Sequence, residues 1–176
     1  MKILLSEDEV RGGVARMAEA ITRHYVDRPL TILAIMTGSV VLLADLIRRL
    51  DMPLRVGVLQ ASSYRRGTER GELFINSDLM PDVSHREVLL VDDIFDTGHT
   101  LATVTNLVRQ MGAASVRTAV LLRKIGRQEV PDAPDFAAFE IPDEFVVGYG
   151  LDYRDEYRNL PYVAALAPED IAGGPA

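Results

Sequence analysis

The stretch Val88–Leu101, VLLVDDIFDTGHTL, decides the fold. Val88, Leu89, Leu90 and Val91 form an all-apolar run with a β-branched residue at each end, the pattern of a strand buried on both faces of a parallel sheet. Two carboxylates, Asp92 and Asp93, follow at once, and Asp96-Thr97-Gly98 comes shortly after. Beyond Thr100 the apolar period becomes helical, through Leu101, Val104, Val108 and Met111, and Gly112 closes it. The segment reads as strand, acidic turn and helix.

A turn feeding a helix N-terminus offers unpaired backbone N–H groups and the positive end of the helix dipole, which together attract an anion. Thr97, Gly98 and Thr100 are small enough to let a phosphate reach those amides. Asp92 and Asp93 cannot hold a phosphate; carboxylates at the carboxyl end of a strand suit sugar hydroxyls or a hydrated Mg²⁺. A ligand carrying both a phosphate and a polyol, such as ribose 5-phosphate, satisfies both halves. An ordinary strand-to-helix turn in a Rossmann-like sheet is the alternative at this point.

The 176 residues suffice for one domain with a substantial core, and 48% of them are apolar. No apolar run approaches the roughly 20 residues of a membrane helix, and no basic-then-apolar leader opens the chain. A soluble cytoplasmic protein is expected, with no membrane partner. Cysteine is absent, which excludes disulfides and thiolate metal sites. With 26 acidic residues against 19 basic ones the net charge is −7, which disfavours nucleic acid as a partner.

Outward from the central stretch, Ser6 and Glu9 form a capping box, and Val10, Val14, Met17, Ala18, Ile21 and Tyr25 fall on one helical face behind it. Thr31 to Ile35 reads as a second buried strand. Met36-Thr37-Gly38-Ser39 and an apolar helix from Val40 to about Leu50 then repeat the strand, turn, helix plan and offer a second anion site. Leu54 to Ala61 and Ser115 to Leu122 are further strands, with Leu73 to Ile75 returning. Residues 62–71 are polar and charged with no apolar period, which predicts a loop. His24, His85 and His99 share no metal-ligand spacing.

This alternation predicts an α/β, three-layer fold with a mainly parallel central sheet. Phe136 to Glu140 and Phe145 to Val147 read as short strands, expected to build a small C-terminal hood over the carboxyl ends of the sheet. The expected plan is a single domain over residues 1–166, with its core at about 1–125 and its hood mainly at 126–166. Residues 167–176 are expected to be a disordered tail.

The acid pair, Asp-Thr-Gly and helix-opening Thr between Asp92 and Thr100 resemble the phosphoribosyl diphosphate (PRPP) signature of the type I phosphoribosyltransferases. The segment IPDEFVVGYGLDYRDEYRNLPYV, residues 141–163, resembles the corresponding part of the bacterial hypoxanthine-guanine branch of that family. The likeness covers nearly the whole chain. It implies the type I fold and transfer of 5-phosphoribosyl from PRPP to N9 of a 6-oxopurine, hypoxanthine or guanine. The products would be IMP or GMP plus diphosphate, with Mg²⁺ as cofactor, in a purine-salvage homodimer or homotetramer.

By the same resemblance Asp92 and Asp93 hold the ribose hydroxyls, while Asp96, Thr97, Gly98, His99 and Thr100 form the loop around the 5-phosphate. Asp96 would be the general base for N7. Thr37, Gly38 and Ser39 match the loop that meets the diphosphate through backbone amides after a cis peptide, and Arg158 would reach the same group. The family carries Lys where this chain has Thr37, so one positive charge expected there is missing. Lys124 would donate to O6, an acceptor where adenine has a donor. Phe145 would stack on the purine, the Val146 backbone would meet its edge, and Asp152 would lie near the base and the Mg²⁺ ion, whose ligands would be Asp152, Asp92 and Asp93. Ser63 and Tyr64 match the Ser-Tyr pair of a lid that excludes water. Two rivals remain at this point. One is an enzyme of the same fold for another base, xanthine above all; the other is a PRPP-binding or RNA-binding regulator, which Thr37 favours and the acidic balance opposes.

Overall fold

The computed structural model describes residues 1–63 and 73–172. In chain order the elements are β1 (Lys2–Leu5), α1 (Glu7–His24), β2 (Leu30–Met36), α2 (Val40–Ile47), β3 (Leu54–Ser63) and β4 (Leu73–Asn76). They continue as β5 (Glu87–Phe95), α3 (His99–Gln110), β6 (Ser115–Lys124), β7 (Phe136–Ile141), β8 (Val146–Val147), β9 (Val163–Ala165) and α4 (Pro168–Ala172). Six strands make the main sheet in the order β4-β3-β2-β5-β6-β7. Every pairing in it is parallel except that of β4 with β3.

Alternation along the central strands sorts the core into two layers. Leu30, Ile32 and Ala34 of β2 and Leu89 and Val91 of β5 pack with α1 and α2, whose Val10, Met17, Ile21, Leu42 and Leu46 are buried there. Leu33, Ile35, Val88 and Leu90 face the other way, onto Leu101, Val104 and Val108 of α3. A sheet buried on both faces requires continuous apolar runs, and β2 is LTILAIM with no strongly exposed position. The Ser6–Glu9 capping box is present at the start of α1. Gly13 lets that helix lie on the Phe139 ring of β7, because a Cβ there would overlap the ring.

Four elements differ from the sequence reading. β5 runs past the acids to Phe95, since Asp92 and Ile94 pair with Val120 and Leu122 of β6. The acids are therefore on the strand's carboxyl end, and the turn begins after them. β7, expected in the hood, is the edge of the main sheet, parallel to β6. The smaller sheet has the order β1-β9-β8, so the N-terminal strand joins the C-terminal ones. Pro168–Ala172, expected to be disordered, form α4, and its Asp170 accepts from the N-terminal ammonium at 2.8 Å and from the Ala167 amide at 2.9 Å. Of the expected lid pair, Tyr64 lies outside the described residues; Ser63 ends β3. No helix among the described residues is long and apolar enough to cross a membrane.

Candidate active site

The carboxyl ends of β2 and β5 open onto a cleft of about 370 Å³. Its floor is Asp92 and Asp93, one side is the turn and first residues of α3 from Asp96 to Thr100, and the other is Thr37 and Gly38 ahead of α2. Asp152 and Arg158, more than 50 residues away in sequence, close it. Gly98 takes φ +90°, and a Cβ there would meet Val130 and Phe95 at 2.5 and 2.6 Å. Neither helix has its leading amides occupied by a capping side chain. The α3 N-terminus thus borders this space, and orphan amides of this kind are what an anion requires; on the α2 side the lining stops at Thr37 and Gly38, and the Val40 amide donates to the Thr37 carbonyl at 3.1 Å.

The acids are costly to keep. Asp92 is only 9% exposed, and burial pushes its carboxyl well above the usual carboxylate range, with the charge of Asp93 adding to the effect. Burial likewise raises Asp93, against hydrogen bonds from its neighbours and the pull of Arg158. The Asp93 amide donates to Asp92 Oδ1 at 3.0 Å, and the Ile94 amide donates to Asp93 Oδ1 at 2.8 Å. Buried or half-buried acids with no counter-ion in contact among the described residues are a feature of ligand sites more than of stable cores.

The α2 loop is wedged from two directions. A Cβ on Gly38 would overlap the Asp93 carboxylate, and a Cβ on Gly150 would overlap the Gly38 carbonyl oxygen. Only glycines let the acid, the loop and the C-terminal segment approach so closely. The Met36–Thr37 peptide is cis, as the resemblance implied. Behind the loop, the buried Tyr149 hydroxyl donates to Asp45 Oδ2 at 2.6 Å, tying the Gly148–Gly150 turn to α2. Arg158 donates to the Gly150 carbonyl at 2.7 Å and pairs with Asp152 Oδ1 at 2.8 Å.

Of the diphosphate-loop residues, Thr37 and Gly38 line the cleft, but Ser39 does not. Its hydroxyl is fully buried and donates to the Ile35 carbonyl at 2.6 Å, so it serves the turn itself. Lys124, Phe145 and Val146 also stand outside the cleft lining. Lys124, the last residue of β6, reaches the rim through Asp96 at 3.4 Å. Phe145 is half-exposed and meets the Tyr153 ring edge-on at 5.5 Å, one residue beyond Asp152. Val146 is buried, its strand paired at Ala165. His99 opens α3 and pairs with Glu129 at 2.9 Å. Sequence reasoning missed Arg127 and Asp143, which bracket Asp96 and Lys124. Arg127 is a lone basic residue in the loop after β6, and Asp143 lies within the segment 141–163 without a pattern of its own.

Asp92, Asp93 and Asp152 share the cleft without converging, and the described residues contain no group of three or more acidic or His side chains able to hold a metal. That donor set fits Mg²⁺ in its usual form, carried by substrate phosphates with one or two carboxylates and several waters, rather than caged by protein.

A mainly parallel α/β sheet whose carboxyl ends open onto an acid-floored cleft beside a helix N-terminus is the ligand-cleft arrangement of the α/β class. The phosphoribosyl transferase domain matches residues 2–154, and the chain belongs to that family. It is similar to the hypoxanthine-guanine phosphoribosyltransferase of Staphylococcus epidermidis, 43% identical over 168 residues, with 95% of this chain and 94% of the relative covered. The enzyme of that name from Staphylococcus aureus is 38% identical over 169 residues, 96% of this chain and 94% of the relative. A crystal structure of a Staphylococcus aureus hypoxanthine phosphoribosyltransferase superposes with a TM-score of 0.90 at 38% identity, covering 96% of this chain and 92% of that one. The Trypanosoma cruzi hypoxanthine phosphoribosyltransferase, solved as a ternary substrates complex, gives 0.88 at 35% identity, with 97% of each chain covered.

Proposed function

We propose that the chain transfers the 5-phosphoribosyl group of PRPP to N9 of a 6-oxopurine, hypoxanthine or guanine, releasing diphosphate. The observation that carries this reading is at the rim of the cleft, beside Asp96. The Lys124 ammonium and the Asp96 carboxylate stand 3.4 Å apart, a donor beside an acceptor. A 6-oxopurine presents the complement, its O6 acceptor beside an N7–H donor, whereas adenine has a donor at position 6. The names of the relatives support the same substrate class.

In this reading the α3 amides and Thr97 and Thr100 hold the 5-phosphate, and Asp92 and Asp93 fix the ribose hydroxyls. Thr37 and Gly38 offer amides to the diphosphate, joined by Arg158. The C1–oxygen bond to diphosphate breaks as the N9–C1 bond forms, and the N7 proton passes to Asp96. Positive charge grows on the ribose meanwhile, so catalysis rests on placement and charge stabilisation rather than on a strong nucleophile. When bound, Mg²⁺ would neutralise the departing diphosphate, with Asp152, Asp92 and Asp93 as the nearby carboxylates. Phe145 supplies the ring for the purine, with the Val146 backbone at its edge. The working form is a cytoplasmic homodimer or homotetramer.

Steady-state rates with hypoxanthine, guanine, xanthine and adenine, each with PRPP and Mg²⁺, test the proposal. Turnover of the first two is expected. Turnover confined to xanthine or adenine, or PRPP binding with no turnover of any base, would refute it.

A further inference from the structure

Lys124 Nζ and Asp96 Oδ2 stand 3.4 Å apart, farther than the roughly 2.8 Å of a charge-assisted hydrogen bond. Each is drawn back by a second partner. Arg127 Nε donates to Asp96 Oδ1 at 2.9 Å, and Lys124 Nζ donates to Asp143 Oδ1 at 3.2 Å. Arg127 Nε also faces Asp143 Oδ2 at 3.7 Å, which closes a ring of alternating charge. Lys124 is nearly buried within it, at 11% exposure, while the other three lie at the rim.

The backbone holds Arg127 in place. Its loop, leaving β6, is pinned before it by the Ile125 amide on the Ile141 carbonyl at 2.9 Å, and after it by the Glu129 amide on the Thr97 carbonyl at 3.0 Å. The second pin lands on the phosphate loop itself, next to Asp96. Asp143 comes from the turn between β7 and β8, just ahead of Phe145. Two separate connections therefore bring one extra charge each to the pair that faces the base.

We propose that Arg127 and Asp143 are positioning residues, which keep the Asp96 carboxylate and the Lys124 ammonium from closing on each other and so leave both available to the purine. The inference rests on the functional reading above. Among the described residues, Asp96 is left with Lys124 when Arg127 is removed, and Lys124 with Asp96 when Asp143 is removed. Either way the inner pair shuts into an ordinary ion pair, and the base must break it before binding. In this proposal the two residues act on the Asp96–Lys124 pair and not on the residues assigned to the diphosphate and ribose, Thr37, Gly38, Arg158, Asp92 and Asp93.

The test is the split between the two Michaelis constants in Arg127→Gln and Asp143→Asn, with hypoxanthine, PRPP and Mg²⁺ as probes. The hypoxanthine KM should rise about fivefold in each, the scale of a partly exposed ion pair, while the PRPP KM stays at the wild-type value. Arg127→Lys, which keeps the cation, should recover most of the loss. The double variant should lose less than the product of the singles, because both act on one pair. Unchanged hypoxanthine KM values in both variants, with the wild type active, overturn the positioning role and leave the activity standing. A parallel rise in the PRPP KM overturns it too, since that indicates general loosening of the phosphate loop. A wild-type protein that does not turn hypoxanthine over overturns the functional reading and this inference with it.

Discussion

Replacing Gly150 by Ala isolates the close approach of the C-terminal segment to the diphosphate loop. Gly150 sits at φ +101°, and a Cβ there would overlap the Gly38 carbonyl oxygen. Two costs follow, and a second variant separates them. Gly112, at the end of α3, has φ +89°, but a Cβ there would find its nearest atom at an ordinary 3.9 Å. Gly112→Ala therefore carries backbone strain alone, about 1–2 kcal/mol, which lowers Tm by about 2–8 °C in a chain of this size. Its kcat/KM should not change, since it is remote from the cleft. Gly150→Ala carries similar strain and must also part the two loops by roughly an ångström, a misplacement that typically costs about a hundredfold in rate. The expected result is a kcat/KM for PRPP near one per cent of wild type, with Tm lowered at least as much as in Gly112→Ala. Gly38 lines the cleft and is assigned to the diphosphate in the proposed function, so the defect should appear with PRPP at saturating purine. Two variants with equal Tm loss and full activity would refute the wedge.

The remaining predictions concern single side chains. Asp92→Asn should stabilise the unliganded protein while weakening PRPP binding. Burial raises the folded-state carboxyl above its unfolded value, so ionising it costs stability as pH climbs from the unfolded value through the folded one. The Asn variant should gain about 1 kcal/mol, or about 2–4 °C in Tm, at pH 8, and the gain should fade toward pH 4. A lower Tm for the variant at pH 8 would contradict this. Asp96→Asn should cut kcat far more than it raises the Kd for PRPP; equal turnover in the variant removes Asp96 as the proton acceptor. Tyr149→Phe deletes the 2.6 Å bond to Asp45, a charged acceptor that keeps its ion pair with Arg48. Thermal denaturation should show a loss of about 1.5 kcal/mol. Burial already holds the Tyr149 phenol proton above its usual range, so wild type and variant should differ equally across pH 6 to 9.

The buried strands β2 and β5 could be read from the chain because a strand covered on both faces has no choice but an unbroken apolar run. Likewise the capping box of α1 and the acids, glycine and threonines ahead of α3 are local patterns whose chemistry does not depend on what lies opposite. The end of β5 could not be read, because Asp92 and Asp93 look like turn residues until β6 is beside them to pair their backbone. Nor could β1, four residues long, which exists by pairing with a strand at the other end of the chain. β7 carries the same apolar letters whether it edges the main sheet or the small one, and only packing against α1 through Phe139 and Gly13 decides between them.

The same division runs through the site. Residue types along a few turns of chain point by themselves to a phosphate and a polyol near Asp92–Thr100, since amide geometry and carboxylate chemistry are short-range properties. Tertiary structure alone decided that Gly38 and Gly150 touch, that Ser39 is spent inside its own turn, and that Arg127 and Asp143 hold Asp96 and Lys124. Apart from the Ser39 bond, which is local, those contacts join segments tens of residues apart, and distance in space between such segments is set by the packing of the whole sheet, which no local pattern records.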